Sequence, residues 1–263
     1  MLTRIAFLIL LLIFIMGCVK SAEKKIDRQI DEILNLSETR QVTQMFPELV
    51  QNELQSMSAL LDSTTFNRIM KEAVRSYHAD SLWKYTRNEF KVRYRGEYAE
   101  EVLHWLRSGT YKKIMEAENE LLGYEDKQQI LGLRDYLKKD RELQKRHNML
   151  RVALQEEEIR LMVESFSSLE RTLFEKVQKN MDSGVDVPPA RIESMMRRDE
   201  EEMRRVLTNN AILERLYRYR YITVEELEAY VQFSNSAAGR WMTISAYESI
   251  NAAVAQASAA FSM

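Results

Sequence analysis

The side chains best suited to attack, proton transfer or metal ligation are few in this 263-residue sequence: three histidines and one cysteine. His78, His104 and His147 belong to no HExxH arrangement, and a lone cysteine excludes the zinc frameworks, so no metal site is expected. His78 and Asp80 stand two residues apart in "YHADSLW", a spacing that turns side chains in different directions on a helix and makes no base and orienter. GxSxG, GxGxxG and P-loop patterns do not occur, and the carboxylates are too numerous to single out a pair. No catalytic residue and no cofactor is expected, and the chain reads as non-enzymatic.

Cys18 stands where an apolar run ends and a charged one begins. Arg4 precedes the unbroken apolar stretch Ile5 to Met16, the n-region and h-region of an export signal. From Ile5 to Val19 a helix would reach only about 22 Å, short of a hydrocarbon core of ~30 Å, so an export signal is favoured over a permanent span. The terminal "IMGC" resembles the lipobox of bacterial lipoproteins, with Ile15 as the aliphatic, Met16 where a small or β-branched residue is usual, and Gly17 before the cut. That resemblance implies a signal peptide over 1–17, a lipid on Cys18, a short tether over 18–36, and membrane attachment through the lipid. Val19 after the cysteine, in place of aspartate, favours the outer membrane under the best-known sorting rule, with the body in the periplasm. No other cysteine exists to form a disulfide, which suits a thiol used for anchoring.

The body that such an anchor would carry reads as all-α. Helix breakers are scarce, at 7 Gly and 3 Pro, and apolar residues recur at three and four from about Ile26 onward. Ile159, Met162, Val163, Phe166, Leu169, Leu173, Phe174 and Val177 form one stripe, ended by "DSGVDVPP", and Ala190 to Arg220 carries another helical pattern. The 14 methionines at helical spacing are read as adaptable core filling. Basic and acidic residues nearly cancel, 38 against 40, and are interleaved, as on solvated helix faces, which argues against nucleic acid as a partner.

Near the end, Thr223 followed three residues later by Glu226 is a capping box that predicts a helix from Val224 to about Asn235, after which Ser236 can cap the next. The pattern of Glu225, Glu226, Leu227, Phe233, Ser236, Gly239 and Arg240 resembles the hallmark of the DUF2059 family over about Leu207 to Phe261, with Ser234 and Ala237 replacing an aromatic and a proline. The resemblance implies exported helical proteins of bacteria with no established catalytic activity. Physically, Gly239 would let the two helices of a hairpin approach, with Phe233 and Trp241 filling the space beside it.

The first half echoes this segment. "RGEYAEEVLHWLRSGTYKKI" aligns with "TVEELEAYVQFSNSAAGRWM" after a shift of 128, pairing Glu97 with Glu225, Glu100 with Glu228, Leu103 with Val231, Trp105 with Phe233, Ser108 with Ser236 and Lys112 with Arg240; upstream, "FKVRY" meets "YRYRY" across one gap. The expected architecture is a multi-helix bundle of two tandem helical-hairpin repeats, 37–123 and 146–263, joined by a charged helix over 124–145. Two functions fit such a body. One is a protein-interaction or assembly-support module of the cell envelope, contacting an envelope protein through Trp105, Phe233 and Trp241. The other is a carrier or sensor of a small hydrophobic ligand held between helices.

Overall fold

The computed structural model describes residues 23–154, 156–181 and 189–262; the expected signal peptide, Cys18 and most of the "DSGVDVPP" turn lie outside them. The protein is all-α, with no strand among the described residues. The helices run α1 (23–36), α2 (Thr39–Ser56), α3 (Ser63–Ser76), α4 (Ala79–Arg93), α5 (Gly96–Leu106), α6 (Gly109–Glu118), α7 (Tyr124–Tyr136), α8 (Arg141–Ala153), α9 (Glu156–Gln178), α10 (Pro189–Arg218), α11 (Val224–Asn235) and α12 (Ala237–Ser262). No described helix is long and apolar enough to cross a membrane.

Local chemistry sets the breaks. Asp62 accepts from Thr64 N and Thr65 N at the start of α3, and Asp140 accepts from Glu142 N and Leu143 N at the start of α8, each satisfying amides that the first turn leaves unpaired. His78, expected on a helix, is instead the residue before α4, its Nδ1 accepting from Asp80 N at 3.3 Å. Ser108 and Ser236 begin α6 and α12 in the same way, accepting from Tyr111 N at 3.1 Å and Gly239 N at 3.0 Å.

The residues expected to form a tether include a core helix. Along 23–36, Ile30, Ile33 and Leu34 are completely buried against Phe90, Val102 and Leu103, because the apolar positions fall on one face. The charged segment expected as one connecting helix is two, α7 and the start of α8. Three apolar clusters form: α1 with α4, α5 and the start of α12; α6, α8, α10 and α11; and α2, α3, α9 and the rest of α12. α12 runs along both α4 and α9, where Ser245, Ser249, Ala253 and Ala257 offer a face of small buried residues.

Contacts between the aligned hairpins are exchanged. α5 packs on α12 while α6 packs on α11. Arg93 of "FKVRY" pairs with Glu248 at 2.9 Å, and Arg220 of "YRYRY" pairs with Glu120 at 2.8 Å. Within each half, the glutamates that align, Glu100 and Glu228, meet a lysine of α1 and of α8, Lys25 at 3.7 Å and Lys145 at 3.2 Å.

Candidate functional site

A pocket of about 380 Å³, open to solvent, lies where α5 and α6 meet α11 and α12. Helical spacing brings its walls together: Tyr111, Ile114 and Glu118 on α6, Arg215 near the end of α10 and Tyr219 just beyond it, Tyr230 and Phe233 on α11, Thr243 and Tyr247 on α12. Trp105, Glu38 and Glu158 also line it, from α5, the α1–α2 link and α9.

Arg215 is the electrostatic centre. Its Nε is 3.3 Å from Glu118 and its Nη2 3.7 Å from Glu158, and the Tyr219 hydroxyl donates to Glu118. Tyr230 once ionised, and at neutral pH Glu158 and Glu118, hold the guanidinium well above its ordinary value against the opposing effect of burial, so Arg215 stays charged. Burial pushes the hydroxyls of Tyr111, Tyr219, Tyr230 and Tyr247 up, and the neighbouring carboxylates push Tyr111, Tyr219 and Tyr247 the same way, Glu38 at Tyr111, Glu118 at Tyr219 and Glu158 at Tyr247. These phenols are therefore neutral donors at physiological pH.

Two features hold the rim. Glu38 sits in the left-handed region, φ 59° and ψ 8°, which costs a residue with a β-carbon roughly 1 kcal/mol or more. Its carboxylate accepts from Asn119 Nδ2 at 2.6 Å, tying the start of α2 to the end of α6. Tyr111 donates to the Leu36 carbonyl at 3.0 Å, closing the same gap from the other side.

Of the three aromatics expected at an interface, Trp105 and Phe233 come together in the pocket wall, stacked at 4.8 Å between centroids and 15° between planes. Trp241 does not join them. It is buried under the α4–α5 link among Phe90, Tyr94 and Tyr98, its Nε1 donating to the Arg93 carbonyl at 2.9 Å. Phe233 and Trp241 are each more than nine-tenths buried, so neither stands out as a free anchor.

The remaining motif residues build α11 and α12. Thr223 N donates to Glu226 at 3.0 Å and Glu226 N to Thr223 Oγ1 at 3.2 Å, while Lys113 pairs with Glu226 and, with the Thr223 amide, holds its carboxyl below the usual range. Ser236 caps α12, Gly239 is buried against the end of α11, and Arg240 is exposed. His104 is exposed, and no group of three or more metal-ligating side chains occurs among the described residues.

Glu118, Glu158 and Arg215 belong to three different helices, and nothing within a few residues of any of them shows which of the many other charges it meets. The one available signal was the run of tyrosines around Arg215, Tyr217, Tyr219 and Tyr221, dense in aromatics for a solvated face. Comparison with protein-family models, with curated proteins and with solved structures gives no match to this chain.

Proposed function

We propose that this is a non-enzymatic protein of the bacterial cell envelope, lipid-anchored through Cys18, that binds a small polar molecule between its two hairpins. The observation that carries the binding reading is the pocket itself, a concave site with aromatic walls and a few convergent polar groups. The half-buried ion pairs and the hydroxyls favour a ligand with polar or charged groups over a purely hydrophobic one, since an apolar guest would remove their water without replacing it. The envelope reading is supported by Arg4, the apolar run and "IMGC".

The same proposal takes the halves as two copies of one unit facing each other. It is supported by the exchanged packing of α5 on α12 and α6 on α11, and by the paired bridges Arg93–Glu248 and Arg220–Glu120. Each copy then begins with its own packed helix, α1 or α8, and the pocket lies between copies. The resemblance to the DUF2059 family covers the second.

Native mass spectrometry of the protein purified from envelope fractions tests the binding reading. A retained small molecule is expected, and Thr243→Trp, which fills the pocket, should eliminate it while leaving helicity intact. A wild-type protein free of any adduct would count against it.

A second reading, an assembly-support module that docks an envelope protein, is favoured by the surface around α7, where Leu121 is 96% exposed and Tyr124, Leu131 and Tyr136 are also exposed.

A further inference from the structure

We propose that the ligand of this pocket is a small organic cation, an amine or a quaternary ammonium compound, an inference that rests on the ligand-binding reading above. Glu38, Glu118 and Glu158 line the pocket against one guanidinium, Arg215, and no lysine is among the lining residues. Among the described lining residues the carboxylates therefore outnumber the cation by two, a surplus of negative charge that a bound cation would neutralise in a partly enclosed site.

An anion is disfavoured because Arg215, the only cationic side chain among the described lining residues, already has Glu118 and Glu158 at 3.3 and 3.7 Å. A bare metal ion is disfavoured because the described carboxylates do not converge as a ligand set. The walls instead supply rings: Trp105 and Phe233 stacked as one block, Tyr219 and Tyr230 at 87° to each other, with Tyr111 and Tyr247 beside them. Ring faces carry the negative part of the aromatic quadrupole and attract diffuse positive charge, and rings set at an angle to one another present faces from more than one side. A pocket of about 380 Å³ accommodates a molecule of this size with room for an uncharged portion.

The test uses full-length protein in detergent and four probes titrated calorimetrically. Choline and butane-1,4-diamine are each compared with an uncharged isostere, 3,3-dimethylbutan-1-ol and butane-1,4-diol. A cation should bind about tenfold or more tightly than its isostere, and Glu158→Gln, which keeps the shape and removes one charge, should shrink that advantage severalfold. The wild-type comparison stands even if the variant misfolds. Equal binding of cation and isostere overturns the charge assignment but keeps the pocket as a binding site. Binding of none of the four overturns the cation assignment; a neutral or anionic molecule retained in the native mass spectrum would then still support the ligand-binding reading, and an empty spectrum would remove both.

Discussion

The carbonyl oxygen of Phe233 stands 2.0 Å from the point that a β-carbon on residue 239 would occupy, and the carbonyl carbon stands at 2.8 Å. Gly239 is thus the position at which α12 crosses the end of α11, and no side chain fits there without backbone movement. In the first hairpin the aligned position is Tyr111, whose amide is held by Ser108 as Gly239 is held by Ser236. One hairpin admits no side chain where the other accommodates a ring, and that ring helps line the pocket.

Gly239→Ala should therefore destabilise the protein by about 2–3 kcal/mol, as overpacking does when the neighbour is backbone. Ser236→Ala should cost about 1 kcal/mol, the loss of a helix cap. Denaturant midpoints measure both, and an unchanged midpoint for Gly239→Ala would remove the close approach from the account.

At Glu38 the backbone prefers glycine and the pocket uses the carboxylate. Glu38→Gly and Glu38→Ala both delete the bond to Asn119, but only glycine relieves the positive φ, so Glu38→Gly should be the more stable by roughly 1 kcal/mol. Thermal melting of the two variants checks this. Equal stability would mean that the left-handed geometry carries no cost.

Burial raises the Tyr77 hydroxyl to about 12, although its bond with Ser258 at 2.8 Å pulls the other way. An unfolded tyrosine ionises near 10. The folded state therefore holds the proton more tightly, and this contribution to stability is complete below about pH 10 and lost as pH rises through about 12. Tyr111, Tyr219, Tyr230 and Tyr247 shift in the same direction and add to the loss. Helicity should collapse in this range together with the rise in phenolate absorbance, and Tyr77→Phe should shift the collapse to higher pH. Phenolate absorbance rising fully while the helices persist would contradict the burial of these rings.

Cys18→Ser removes the thiol that a diacylglyceryl group would alkylate. Loss of incorporated fatty acid is expected, with accumulation of a precursor or of an unanchored form on gels of fractionated cells. Maturation and membrane retention identical to wild type would end the lipoprotein reading.

Helices announced themselves in the sequence wherever one face was apolar and the ends carried caps, as at Thr223, Glu226 and Ser236, because capping and three-to-four spacing act within a few residues. The helical spacing of α1 is legible from about Ile26, but its place in the core is not, since the segment up to residue 36 is expected to belong to the tether. The charges of α1 reach sideways, with Asp31 accepting from Arg87 at 2.5 Å and Asp27 pairing with Lys91 at 2.8 Å. The cluster at Arg215 was hidden for a different reason. Its partners lie 57 and 97 positions away, Glu158 and Glu118, and only the tertiary arrangement decides which of many charges meet.

α1 also governs how force enters the molecule. The chain from Cys18 to Glu23 can extend to at most about 18 Å, after which any pull reaches a helix riveted into the body by three fully buried aliphatic side chains and by salt bridges to α4. Were the protein anchored through Cys18 as proposed, a pull from that end would load α1 in shear along its length, with only that short stretch to take up first. Detachment would therefore proceed by tearing α1 out of the apolar cluster that also holds Trp241, and mechanical release would be inseparable from opening the protein.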